Sequence, residues 1–88
     1  MSKENNVKVI KALLSKLLIN YREFFDKNGI LNSEGRKVLE EVIRLILNTN
    51  PEYRNTIYRV RREPTLENVV RIASKYIPEE DIYELIQP

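Results

Sequence analysis

The chain has 88 residues, no cysteine, no histidine and a formal net charge of +2 at pH 7. This length fits one small domain, and the composition excludes disulfides, thiolate metal sites, imidazole ligands and histidine general bases. Two glycines are too few for a glycine-rich phosphate-binding loop. A hydrophobic content of 42% with 32% charged residues is typical of a globular domain and not of a disordered tail.

No targeting or membrane-spanning segment is recognisable in the chain. Lysines interrupt the apolar positions of residues 1–16, so this segment lacks the continuous core of a secretory signal. The longest aliphatic runs, residues 17–19 and 45–47, are far shorter than the roughly 20 residues that cross a bilayer. We therefore expect a cytoplasmic, intracellular protein without a membrane role.

A long amphipathic helix is predicted over about residues 4–27. Its apolar residues follow a three- and four-residue spacing: Val7, Ile10, Leu14, Leu17, Tyr21 and Phe24. They cover about 140° of a helical wheel, which is typical of a helix that faces a core and wider than a coiled-coil seam. Asn28 and Gly29 then supply a left-handed C-terminal stop.

The rest of the chain divides into four shorter predicted helices. Proline, glycine and polar capping residues separate runs that have helical apolar spacing. No segment alternates cleanly between apolar and polar residues, so we expect no sheet. The predicted fold is an all-α, compact single-domain bundle of about five helices, at approximately residues 4–27, 33–48, 51–62, 65–76 and 79–87.

Three polar residues are predicted to cap these helices at their N-termini: Ser33, Asn50 and Thr65. Side chains of these types accept hydrogen bonds from the free N–H groups of a first helical turn. Pro51 follows Asn50 at the first helical position, where a missing N–H costs nothing. Pro64 pushes the residue before it out of helical geometry and so separates the third helix from the fourth.

No group of residues has the pattern of a catalytic or metal site. Catalysis requires groups with perturbed pKa values held close together, and the serines have no histidine to activate them. Glu40 and Glu41 are typical of a solvated helix face. The acidic residues of segment 79–84 lack the turn glycine and alternating oxygen ligands of a calcium loop, so they fit a helix start better. We therefore predict a non-enzymatic protein without metal, cofactor or small-molecule substrate.

Positive charge is concentrated in the third predicted helix. Residues 51–62 contain four arginines and one glutamate, whereas residues 63–88 contain two basic and six acidic side chains. On a helical wheel the basic residues share a face with an asparagine and a tyrosine, opposite Ile57 and Val60. This face comprises Arg54, Asn55, Tyr58, Arg59, Arg61 and Arg62.

Such a face predicts binding to nucleic acid, with DNA favoured. Guanidinium groups contact phosphates, and asparagine and arginine are side chains that read adenine and guanine edges. Tyr58 is able to stack on an unpaired base or to contact a sugar. On one flank of the first helix, Lys8, Lys11 and Arg22 are candidates for further phosphate contacts.

Other interpretations of the same residues stay open. The arginines could form a solvated surface and pair with the acidic C-terminal part. The protein could instead be an accessory or adaptor subunit that docks on a larger protein, such as a nucleic-acid-processing enzyme, through the arginine face or the first helix. Self-association through the first helix is a third alternative. Docking by the first helix would use its apolar stripe, which includes Tyr21, Phe24 and Phe25. Val9 and Ile19 lie outside that stripe, and Leu31 in the first loop could add to an exposed patch.

Residues 63–76, with the sequence EPTLENVVRIASKY, resemble the second half of Cro/phage-repressor-type (Xre-like) helix-turn-helix domains. In that family a Pro-Ser/Thr-Leu-Glu start precedes a helix with an Ile-Ala pair and then a short acidic helix, which here matches residues 79–85. Residues 56–59 look like the end of the family's recognition helix. The resemblance over residues 54–85 implies that Arg54, Asn55, Tyr58 and Arg59 face the major groove. The segment after the recognition helix is shorter here and lacks its glycine, and the helix at 33–48 lacks the family's short polar pattern.

Overall fold

Six α-helices and one 3₁₀ turn make up the structure of the protein, a computed structural model that describes residues 3–87. Within these residues there is no strand, only two isolated β-bridges. The all-α prediction is therefore confirmed. In chain order the elements are α1 (Lys3–Ile19), α2 (Tyr21–Phe24), α3 (Ser33–Thr49), the 3₁₀ turn (Pro51–Tyr53), α4 (Arg54–Arg62), α5 (Leu66–Ala73) and α6 (Glu79–Leu85).

The core is one continuous cluster of buried apolar side chains, built on the packing of α1 against α3. Burial of each large aliphatic side chain stabilises the fold by about 1.5–3 kcal/mol. The helices α4, α5 and α6 add smaller apolar faces to the same cluster. Its fully buried side chains include Ile10, Leu14, Leu17 and Leu18 from α1, Val42, Ile43 and Ile46 from α3, and Ile57, Val60, Val69, Ile72 and Ile82 from the later helices.

The prediction of one continuous helix over residues 4–27 is wrong in its C-terminal part. The helix α1 ends at Ile19, because Asn20 leaves helical geometry with φ −106° and ψ 35°. The Asn20 side-chain amide donates to the Lys16 carbonyl at 3.1 Å, a local bond of the kind by which asparagine competes with helical pairing. The short helix α2 follows, and Phe25 then enters the core in an extended conformation.

Asn28 and Gly29 belong to a turn and not to the end of a helix. The Asp26 carboxylate accepts the backbone N–H groups of Asn28 at 2.8 Å and Ile30 at 3.1 Å, which is a typical asparagine- or aspartate-nucleated turn. Gly29 has φ +76°, a left-handed conformation that suits glycine. Gly29 thus has the predicted left-handed conformation, but it lies in a chain reversal after α2 has ended, so the predicted helix stop at Asn28 and Gly29 is wrong.

This turn is bonded to the segment that connects α4 to α5. The Leu31 N–H donates to the Pro64 carbonyl at 2.9 Å, and the Leu66 N–H donates to the Gly29 carbonyl at 2.8 Å. Thr65 N-caps α5 as predicted, since its hydroxyl accepts the Asn68 N–H at 3.2 Å. These bonds hold the C-terminal end of α4 next to the turn.

The N-cap of α3 is Asn32 and not Ser33. The Asn32 side-chain oxygen accepts the Gly35 N–H at 2.9 Å, and its amide group donates to the Glu23 carbonyl at 2.7 Å. Asn32 thus caps α3 and ties it to α2 with one side chain. The two bonds use different atoms of the asparagine carboxamide, the oxygen as acceptor and the nitrogen as donor.

Asn50 does not cap the helix that follows it. Its side-chain oxygen accepts the Tyr76 hydroxyl at 2.9 Å, and the predicted helix 51–62 begins as a 3₁₀ turn before α4. The helix α5 ends at Ala73, three residues before the predicted end, where its carbonyl accepts the N–H groups of Tyr76 and Ile77. No helix among residues 3–87 is long and apolar enough to cross a membrane.

Candidate nucleic-acid interface

The helix α4 buries one face and exposes the other. Ile57 and Val60 are fully buried, and α4 packs against α5 and the 3₁₀ turn. The side chains predicted to contact nucleic acid all lie on the solvent side. These are Arg54, Asn55, Tyr58, Arg59, Arg61 and Arg62, which we call the arginine face.

One arginine of this face is already occupied by a carboxylate. Arg61 makes a two-point ion pair with Glu40 of α3, with Nη2–Oε2 at 3.0 Å and Nε–Oε1 at 3.3 Å. The two side chains are 45% and 57% exposed, so the pair contributes little to stability. The expectation that the arginines pair with the acidic C-terminal part is wrong for Arg61, because its partner lies on α3.

The other three arginines of the face are not paired with any acidic side chain of the described residues. Arg54, Arg59 and Arg62 are exposed and form no ion pair with any residue of 3–87. The side chains of Asn55 and Tyr58 make no hydrogen bond within that range either, and Tyr58 is 55% exposed. The arginine face therefore offers three free guanidinium groups, an amide and an aromatic ring to a ligand.

Carboxylates lie along one edge of the face, next to Arg59. An open hollow separates the end of α4 from the start of α5 and the turn at Gly29. Its lining includes Arg59, Glu63, Glu67 and Arg71, and Arg71 pairs with Glu67 at 3.2 Å. The hollow thus combines two cationic and two acidic side chains, of which Arg71 and Glu67 are paired.

The start of α4 is held by a polar cluster that the sequence analysis missed. The Tyr76 hydroxyl donates to Asn50, its ring meets Tyr53 edge-on at 5.8 Å between centroids, and the Lys75 ammonium lies 5.5 Å from the Tyr53 ring centroid. Burial raises the pKa of the Tyr76 hydroxyl. These residues come from segments 26 positions apart, and no local pattern announces their contact.

The predicted flanking lysines and arginine have neighbours outside α4. Lys8, Lys11 and Arg22 are all exposed. Lys11 lines a hollow with Asp81 and Glu84 of α6, while the Arg22 Nε lies 3.4 Å from the hydroxyl oxygen of its neighbour Tyr21. Lys8 and Lys11 lie on α1 and Arg22 lies on α2, and their contact with nucleic acid stays a prediction.

The apolar patch expected around the first helix is only partly present. Phe25 and Leu31 are buried, with 6% and 2% of their surface exposed, so they are unavailable for docking. Val9 and Ile19 are exposed as predicted. These two residues lie ten positions apart on α1, about 15 Å along its axis, and docking through this helix stays a prediction.

Comparisons with known proteins give no relative from which a function could be transferred. No protein-family model matches the chain, and no curated protein and no solved structure matches it. Among residues 3–87, no group of three or more acidic side chains is placed to hold a metal ion. Function is therefore inferred from the exposed side chains and their geometry.

Proposed function

We propose that the protein is a small, non-enzymatic DNA-binding protein that uses the arginine face of α4. The observation that carries this proposal is the set of three exposed arginines on one nine-residue helix, none of which has an ion-pair partner within residues 3–87. Free guanidinium groups on one surface are suited to phosphate oxygens, which they contact through a fork of N–H donors.

Binding would be driven by the release of counterions from the phosphate backbone. Three or four arginine–phosphate contacts predict a slope of roughly −3 to −4 in a plot of log affinity against log salt for duplex DNA. The carboxamide of Asn55 is a side chain that reads adenine edges.

The experiment is a fluorescence titration of labelled duplex and single-stranded DNA at about 50 and about 200 mM salt. We expect binding that weakens steeply with salt and that falls in the variant Arg54→Ala/Arg62→Ala on every sequence. The matched control is Lys37→Ala/Arg44→Ala, which removes the same charge from exposed positions on α3.

Two results would contradict the proposal. One is the absence of binding to either DNA at the lower salt concentration. The other is an equal loss of affinity in the α4 and α3 double variants, because net charge and not the arginine face would then explain the attraction. In either case the arginine face would be tested next as a docking surface for an acidic protein.

A further inference from the structure

We infer that the ligand of α4 is single-stranded DNA, and that one base stacks on Tyr58 while flanking phosphates contact Arg54 and Arg62. This inference rests on the proposed function and adds the form of the ligand. Tyr58 lies at the centre of the arginine face, with Arg54 one helical turn before it and Arg62 one turn after it.

The three side chains form one row along α4. Residues four positions apart are about 6 Å apart along a helix axis, so Arg54 and Arg62 are separated by about 12 Å. This distance spans only a few nucleotides of a single strand. A short single strand that follows the row can therefore place a base on the ring of Tyr58 between two phosphate contacts.

Carboxylates lie on both sides of the row that Arg54, Tyr58 and Arg62 form. On one edge Glu40 holds Arg61 in a two-point ion pair. On the other edge Glu63 and Glu67 line the hollow beside Arg59. Glu40 and Glu67 are neutralised in their pairs with Arg61 and Arg71, so the arginines without an ion pair within residues 3–87 are confined to one face of α4. Such a short cationic surface suits the single phosphate backbone of one strand better than the two backbones of a duplex.

The surroundings of Tyr58 also favour an unpaired base. Its side chain is 55% exposed, and within residues 3–87 it makes no hydrogen bond and no ring contact. The bases of a duplex cover each other's faces, so only a base outside a helix offers its face to an aromatic ring. An exposed ring between two cations is the combination that binds single strands with little sequence preference.

Tyr83 provides a matched control for this ring. It is also 55% exposed, but its hydroxyl donates to Glu79 at 3.2 Å on the acidic helix α6. The substitution Tyr83→Leu removes an equally exposed ring from a surface that repels phosphate.

The test measures the affinity of the full chain for a short labelled oligonucleotide of mixed sequence and for the duplex that it forms with its complement. At equal salt we expect the single strand to bind more tightly. Tyr58→Leu should weaken single-strand binding by about 5- to 100-fold, which is the range for the loss of one base–aromatic stack. Tyr58→Phe keeps the ring and should retain the affinity, and Tyr83→Leu should leave it unchanged.

A spectroscopic signal separates stacking from a purely structural effect. The chain has five tyrosines and no tryptophan, so its intrinsic fluorescence comes from tyrosine. Stacking should quench the fluorescence that Tyr58 contributes. DNA should therefore quench the fluorescence of Tyr58→Phe less than that of the unchanged protein. Equal quenching in the two proteins would argue against contact between a base and this ring.

The same measurements distinguish an error in the form of the ligand from an error in the proposed function. Duplex binding at least as tight as single-strand binding, with unchanged affinity in Tyr58→Leu, would overturn the stacking assignment and leave DNA binding in place. The absence of binding to both forms of DNA would overturn the proposed function itself.

Discussion

Arg61 and Glu40 join α4 to α3 through a two-point ion pair between residues 21 positions apart. The adjacent Arg62 is equally part of the arginine face but has no acidic partner within residues 3–87. Two neighbouring arginines of one helix thus differ in their availability to a phosphate. A ligand must compete with Glu40 for Arg61, whereas Arg62 is free.

This difference predicts unequal effects of two otherwise similar substitutions. Arg62→Ala should reduce the magnitude of the salt slope of DNA binding by about 0.7 to 0.9, the value for one lost phosphate contact. Arg61→Ala should reduce it by clearly less, because its guanidinium is already neutralised by Glu40. The measurement is the affinity of each variant at several salt concentrations.

A second substitution controls for the ion pair. Glu40→Gln removes the competing carboxylate, so Arg61→Ala made in that background should lower the slope about as much as Arg62→Ala does. Equal slopes for Arg61→Ala and Arg62→Ala in the unchanged background would show that Glu40 does not restrain Arg61.

The fold could be predicted where its signals are local. The start of α5 follows from Pro64 and the capping hydroxyl of Thr65, and both act within one helical turn. The break at Asn20 could not be predicted in this way, because the apolar spacing continues through it. It accompanies a chain reversal in which Phe25 pairs with Leu31, and both side chains enter a core that is built from distant helices.

In the candidate site, too, local features could be predicted from the sequence and contacts between distant segments could not. Helical spacing was sufficient to predict that the arginine face is exposed, because Ile57 and Val60 define the buried side of α4. It could not identify Glu40 as the partner of Arg61, since that pair depends on how α3 and α4 pack. For the same reason it could not place Lys11 in one hollow with Asp81 and Glu84, since that hollow depends on how α6 packs against α1.

Gly35 is predicted to tolerate no side chain. A Cβ atom at this buried position would lie 2.5 Å from Leu31 Cδ2 and 2.8 Å from the Phe24 carbonyl oxygen. Gly35→Ala should therefore lower the free energy of unfolding by about 1 to 3 kcal/mol, although alanine is the better helix former. Urea unfolding followed by circular dichroism measures this change. Lys37→Ala, exposed on the same helix, should change stability by less than about 0.5 kcal/mol.

The N-terminus of α3 supplies a direct comparison between neighbouring residues. Asn32→Ala should lower the free energy of unfolding by about 1 to 2 kcal/mol, because it removes both the cap to Gly35 and the bond to the Glu23 carbonyl. Ser33→Ala should have an effect below about 0.5 kcal/mol, since Ser33 is exposed and is not the cap. Similar losses in the two variants would contradict the assignment of Asn32 as the cap.

Tyr76 should make the stability of the protein sensitive to alkaline pH. Burial raises the pKa of its hydroxyl in the folded state, whereas in the unfolded chain this group titrates near pH 10. Above that pH the unfolded state loses the proton first, so the free energy of unfolding falls as the pH rises further. Tyr76→Phe cannot titrate and should show a shallower fall over this range. At neutral pH it should cost about 1 kcal/mol through loss of the bond to Asn50.

The measurement is urea unfolding of both proteins at several pH values from neutral to above pH 10 or so. Lysines and the other tyrosines titrate in the same range, but they are common to both proteins, so the difference between the two curves isolates Tyr76. If the curves stay parallel through the alkaline range, the Tyr76 hydroxyl titrates alike in the folded and unfolded states. In that case the contacts around Asn50 would not shield it from water, and they would restrain the start of α4 less than the hydrogen bond and ring contact indicate.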